Sequence, residues 1–320
     1  MRWPLIRFLP SHTNIDFVRL APFAAVLSAI AVLASCVCFF LPGLLGHEQG
    51  LNLGIDFAGG TQIEIVMPGP APLGAFRTAL GKMGESDAQV QGFGGPNSAV
   101  LRFKPPAGQD PNIAVSKVRQ SLTSQFPGIQ FKQVVVVGPK VSGELLVGGF
   151  KALGIAVFLM LLYIWFRFQL QFGLGAVIAL FHDVLLTIGI LSALQIEFST
   201  SSIAALLTVI GYSMNEKVIT FDRLRENLRK YRKTPLSEVI NLSENERLSR
   251  TLITGASALL ALSGTLVMGG PALFPLVFTM AFGILIGTYS SVYVALPLIL
   301  LWGADRGDKV EIITPQRARP

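Results

Sequence analysis

Charge is scarce in this chain. Only 14% of its 320 residues are Asp, Glu, Lys or Arg, 51% are apolar, and the mean hydropathy is +0.57. A soluble globular chain carries roughly a quarter charged residues, so the composition excludes a chain that is water-soluble throughout and indicates an integral membrane protein. Cysteine is nearly absent. Cys36 and Cys38 both fall inside the first apolar run, and a disulfide framework would need cysteines in an exported segment. The residues show no metal-ligand cluster, no nucleophile triad and no Gly-Lys-Ser/Thr phosphate loop, so neither a cofactor nor a metal is expected. His47 stands alone and is read as exposed.

What is abundant is long apolar runs, at about 19–45, 146–166, 170–194, 199–221, 251–268 and 273–301. Each reaches the roughly 18–20 residues that cross about 30 Å of hydrocarbon. The first is too long for a signal-peptide core of roughly 7–15 residues and is expected to remain as a helix. The layout is one span, a wide gap, then five. Pro297 is expected to kink the last helix.

The net charge of +7 would suit nucleic acid, but its distribution argues otherwise. Well over half of the 26 basic residues fall in four places: Arg2, Arg7 and Arg19; Arg167; the segment from Arg223 to Arg250; and the tail from Arg306 to Arg319. The opposite short connections, QIEFST and GGPA, have none. This asymmetry marks the cytoplasmic side and implies no nucleic-acid partner. It divides the chain into a cytoplasmic amino terminus (1–18), a first span (19–45), a periplasmic domain (46–145), a five-helix membrane block (146–302) with a basic cytoplasmic loop at 222–250, and a cytoplasmic tail (303–320). The basic loop reads as a solvated amphipathic helix near anionic headgroups.

Within the periplasmic segment, TQIEIV at 61–66 alternates as a half-buried strand does. Helical spacing follows at 72–84, with Leu73, Phe76, Leu80 and Met83 on one face. Two strands, 88–92 and 99–103, flank a Gly-Gly-Pro-Asn turn. A second helix at 110–126, capped by Asp110 or Asn112, places Val115, Val118 and Leu122 inward, and a last strand covers 129–137. The order β-α-β-β-α-β is the ferredoxin-like arrangement. The fold class expected is thus an α-helical polytopic membrane protein, six spans as one plus five, with a small α+β ferredoxin-like periplasmic domain.

Ionisable residues inside spans cost roughly 2.5–3.5 kcal/mol each at mid-helix and mark functional candidates. In GYSMNEKVITFDRLREN, at 211–227, Asn215, Glu216 and Lys217 continue an apolar run. The long stem of Lys217 is expected to carry its amine to the nearby surface. Glu216, with Asn215 beside it, reads either as another surface-reaching group or as a proton carrier opposite a cation, with Arg250 as the candidate. In ALFHDVLLT, His182 and Asp183 lie near mid-span. Asp183 is a proton-site candidate or a structural polar contact, and the two neighbours, about 100° apart, need not act together. Gly283 with Gly287, and Ser257, Ala261 and Thr265, read as close-packing stripes.

Several motifs together resemble the SecF family of protein-export membrane subunits. They are GIDFAGGT at 54–61, VGPKVSGEL at 137–145, FHDV, IGYSMNEKVITFDRLREN and SRTLIT, in order and over nearly the whole chain. The resemblance implies a half-transporter of the resistance-nodulation-division type. It would work with SecD and the SecYEG channel, indirectly with SecA and also with YajC. It would draw on the proton-motive force to promote late-stage export of preproteins in the bacterial inner membrane. It makes Gly54, Asp56, Phe57, Gly59 and Gly60 a family signature. It also makes Glu216, at a position where relatives carry Asp, a proton-conducting group with Arg250, where Lys217 replaces a small Ser or Thr. No covalent catalysis is called for, so the chain is not read as an enzyme. Two rivals stand beside this reading: a small-molecule or lipid transporter of the same superfamily, and a passive structural subunit.

Overall fold

The computed structural model describes residues 13–44, 50–84, 88–104 and 111–303. His47, Asp110, the first twelve residues and the tail from 304 lie outside them. Among the described residues, ten helices and four strands occur in the order α1 (Phe17–Leu44), α2 (Ile55–Ala58), β1 (Gly60–Val66), α3 (Leu73–Lys82), β2 (Gln89–Gly92), β3 (Ser98–Phe103), α4 (Pro111–Gln125), β4 (Gln130–Val137), α5 (Pro139–Arg167), α6 (Leu170–Ala193), α7 (Thr200–Lys230), α8 (Leu236–Met268), α9 (Gly270–Tyr293) and α10 (Ala295–Trp302).

The four strands form one antiparallel sheet in the order β2-β3-β1-β4. Alternation along β1 buries Thr61, Ile63 and Ile65, while Gln62 and Glu64 stay half-exposed. Phe76 and Leu80 of α3 and Val118 and Leu122 of α4 join Ile63, Ile65 and Leu101 in a single core. Period 2 on the strand and period 3.6 on the helices supply its two sides.

Among the described residues, five segments are long and apolar enough to cross a membrane: Phe17–Pro42, Pro139–Arg167, Leu170–Ala193, Leu236–Met268 and Leu273–Trp302. α7 falls short because Asn215, Glu216 and Lys217 interrupt its apolar part, yet it lies at the centre of the bundle. It packs against α5, α6, α8 and α9 and buries Leu206, Val209, Ile210, Met214, Phe221 and Leu224. A helix surrounded by others needs little lipid-facing surface, so it can carry polar groups that an outer helix cannot.

The close approach of α9 to α7 depends on glycine. A Cβ at Gly283 would sit 2.2 Å from Val209 Cγ2, and one at Gly287 3.1 Å from Ser213 Cβ. The second small-residue stripe behaves differently. Ser257 and Ala261 are exposed on α8, so they face outward from the bundle rather than packing against it. The last apolar segment is two helices, broken at Val294. Pro297 has no N–H for the Tyr293 carbonyl four residues back, and its ring crowds that carbonyl. The expected kink is therefore a full break between α9 and α10.

Candidate functional site

α7 places Glu216 and Lys217 on adjacent positions, about 100° apart around the helix, and the bundle uses the two directions separately. Lys217 is fully buried. Its Nζ donates to Asp183 Oδ2 of α6 at 2.7 Å and to Ser290 Oγ of α9 at 3.1 Å. Ser213, one turn back on α7, also contacts both Lys217 and Asp183. Asp183 is itself fully buried. Its Oδ2 takes a third bond from Ser290 Oγ at 2.8 Å, and its Oδ1 lies 3.0 Å from His182 Nδ1. The surface-reaching role expected for Lys217 is therefore corrected. A carboxylate one helix away satisfies the amine, which removes the reason for the stem to extend to water. The two neighbours His182 and Asp183 also touch, although the 100° rule gave no reason to pair them. His182 Nε2, buried beside Tyr289, has no hydrogen-bond partner among the described residues.

Glu216, 1% exposed, faces α8. Thr251 Oγ1 donates to its Oε2 at 3.1 Å, and Arg247 Nη1 lies 3.7 Å from the same oxygen. Arg247 Nη1 in turn donates to Thr251 Oγ1 at 2.7 Å, so the hydroxyl relays between guanidinium and carboxylate. On its other side Arg247 grips Glu244 with two bonds of 2.7 Å, Nε to Oε1 and Nη2 to Oε2, and reaches Ser291 Oγ at 3.1 Å. Adjacent serines on α9 are split like adjacent charges on α7: Ser290 serves the Asp183–Lys217 pair and Ser291 serves Arg247.

The pairing expected between Glu216 and Arg250 is not the one seen. Arg247 occupies that place, and Arg250 is exposed, with no ion pair among the described residues. Asn215 is exposed too, on the opposite side of α7 from the network. Glu244 and Arg247 were hidden within a segment read as solvated, and Thr251 opens the apolar run that follows it. Their spacing of i, i+3, i+7 places all three on one helix face, and that was the signal available. α8 is one continuous helix from Leu236, so its polar first turns run directly into the bundle.

The glycine-rich signature lies at the other end of α7. Gly54 N donates to Phe198 O at 2.8 Å, and Phe198 N to Asn52 O at 2.7 Å. Asp56 Oδ2 accepts from the Thr200 backbone N–H at 3.0 Å and from the Thr200 hydroxyl, satisfying a free donor at the start of α7. Phe57 packs on Phe198, ring centroids 5.7 Å apart. Gly59 and Gly60 have φ of +67° and +111°, the region where a side chain is strained. A Cβ on Gly60 would also sit 2.8 Å from Phe103 O. Arg102 of β3 pairs with Glu197. The signature thus clasps the α6–α7 connection to the α+β domain, directly above the helix that carries Glu216.

These features define a class: a polytopic membrane protein with an α+β domain outside the bundle and a buried charge network on its central helix. The family described as protein export membrane protein SecD/SecF, C-terminal, matches residues 117–305, and the SecD/SecF GG motif matches 48–66. The chain is 42% identical over 313 residues to the protein translocase subunit SecF of Cereibacter sphaeroides, with 94% of each chain covered. It is 37% identical over 298 residues to that of Rickettsia rickettsii, covering 93% of this chain and 94% of the relative. The crystal structure of SecDF from Thermus thermophilus, a translocon-associated membrane protein, is similar with TM-score 0.81 and 28% identity over 92% of this chain. A SecDF structure in a super-membrane-facing form gives TM-score 0.63 and 29% identity. The chain spans 40% of each of those SecDF chains. The chain belongs to the SecF family of Sec protein translocase subunits.

Proposed function

We propose that the chain, together with SecD, couples the proton-motive force to late-stage export of preproteins through SecYEG, with SecA acting upstream and YajC as an accessory. The observation that carries this reading is the charge count around Arg247. Two buried carboxylates, Glu216 and Glu244, face one guanidinium, whereas Asp183 and Lys217 balance each other. The first cluster has one negative charge in excess, which a single proton removes. Glu244 is held by two bonds, and Glu216 by one hydroxyl and a longer contact. Glu216 is therefore the looser group and the proton carrier, with Arg247 as its partner and Asp183–Lys217 as a fixed neutral pair beside it. Arg250 lies exposed on α8, away from this network.

A proton crossing the membrane releases about 2.3 kcal/mol per 100 mV, enough to bias two arrangements of a packed bundle. Movement of α7 would pass to the exported domain through Asp56 on its first turn and through the Arg102–Glu197 pair. In this reading α7 is a span as well, the fourth along the chain, which brings the total to six; both termini are cytoplasmic, the membrane is the bacterial inner membrane, and the sheet domain is periplasmic and ferredoxin-like. The test is pulse-chase export of a secreted reporter in cells depleted of their own copy and supplied with this chain and its SecD. Wild type and Glu216→Asp should restore export, while Glu216→Gln inserts normally and fails. Export by Glu216→Gln at the wild-type rate would overturn the assignment.

A further inference from the structure

A cavity of about 540 Å³ opens between the end of α5 and the polar turns of α7, lined by Arg167, Asp222, Arg225, Glu226, Arg229 and Lys230. The export mechanism above makes no use of it. Its acids are already engaged. Arg167 Nη2 lies 2.7 Å from both Asp222 oxygens, and Glu226 accepts from Arg223 Nη1 at 2.6 Å. Arg225, Arg229 and Lys230 form no ion pair among the described residues. Arg225 and Arg229 are one turn apart on the same helix face, and Arg225 is steadied over the Phe168 ring, 5.8 Å from its centroid. Three cations thus line one wall, Lys230 with Glu246 as a longer-range counter-charge and Arg225 and Arg229 outside any ion pair among the described residues.

The depth of the cavity narrows the choice of anion. Trp165 and Phe166, immediately before Arg167, are 78% and 82% exposed, and Leu170 just beyond is exposed as well. Aromatic residues at the end of an apolar span mark the membrane–water interface, so the cavity lies at headgroup level with an apolar flank beside it. We propose that this cavity binds the phosphodiester headgroup of an anionic phospholipid. Arg225 and Arg229 grip the phosphate oxygens through their forked donors and Lys230 acts as a point charge. The acyl chains run along α5 past Trp165 and Phe166. A free phosphate shares the headgroup chemistry but makes no use of the apolar flank. A zwitterionic lipid brings its own cation to a site that already has three.

The test uses the full chain purified with SecD in neutral detergent, titrated with phosphatidylglycerol or phosphatidylcholine, with bound lipid counted by native mass spectrometry. Phosphatidylglycerol should be retained in preference to phosphatidylcholine. Arg225→Gln and Arg229→Gln should each weaken its binding about fivefold, the equivalent of about 1 kcal/mol per cation near an anionic surface, while Arg229→Lys, which keeps the charge and loses the fork, should fall between Arg229→Gln and wild type. Lys233→Gln removes the same charge from an exposed site outside the cavity and should change nothing. Equal losses in Arg229→Gln and Lys233→Gln would mean a diffuse field and no site. Equal binding of the two lipids, or displacement of phosphatidylglycerol by millimolar inorganic phosphate, would also overturn the proposal.

Discussion

Lys217→Met is the sharpest test of the buried network. In the wild type, Asp183 accepts from Lys217, Ser213 and Ser290, with His182 on its other oxygen, and none of these groups has a water-exposed alternative. Methionine fills a similar volume without charge and leaves the Asp183 carboxylate with the Ser213 and Ser290 hydroxyls and the His182 ring, but without its lysine. Breaking a buried ion pair from one side costs about 3–5 kcal/mol. Ordinary polar contacts between membrane helices average only about 0.6 kcal/mol. The two expectations are far enough apart to separate. The double variant Lys217→Met/Asp183→Leu removes both charges, and such replacements are commonly neutral or stabilising, so it should recover to within about 1 kcal/mol of wild type. A double-mutant cycle in mixed micelles, followed by denaturant or steric-trap unfolding, should therefore give a coupling of about 2 kcal/mol or more. A single-variant loss below about 1 kcal/mol, or additive effects of the two changes, would refute the buried pair and put Lys217 at the surface.

Arg247→Gln should abolish export in the pulse-chase assay, because it leaves Glu216 and Glu244 facing each other without a cation. Arg250→Gln in a chain expressed without SecD should leave unfolding unchanged, since Arg250 is exposed and has no ion-pair partner among the described residues. Asp56→Ala removes a cap from α7 and should cost about 1 kcal/mol, read as faster hydrogen exchange in the first turn after Thr200. Gly283→Ala places a Cβ 2.2 Å from Val209 Cγ2 and should cost about 1–3 kcal/mol by overpacking. Pairing it with Val209→Ala should return most of that in the same unfolding assay.

Much of the architecture was legible in the residues because the governing signals are local. An apolar run of bilayer length becomes a helix wherever it packs, since lipid leaves backbone groups no other partner. TQIEIV alternates, so its faces were fixed before any partner strand was known. The candidate site was legible only in part. Glu216, Lys217 and Asp183 stood out by being ionisable within apolar runs. Glu244 and Arg247 did not, because their stretch of sequence looks like any solvated charged helix and only the continuity of α8 into the bundle shows otherwise.

What the sequence determined by itself was where the chain is apolar, where it turns and which residues are chemically out of place. Only the tertiary structure decided which charge meets which. Two residues adjacent in sequence on a helix face different neighbours, so Glu216 and Lys217 belong to separate clusters. Their partners lie tens of residues away on α6, α8 and α9. Whether a lysine runs to water or stays buried depends on a carboxylate being within about 3 Å. That distance is a property of how α6 packs on α7, while Gly283 and Gly287 let α9 approach α7 closely enough to bring Ser290 to the same pair.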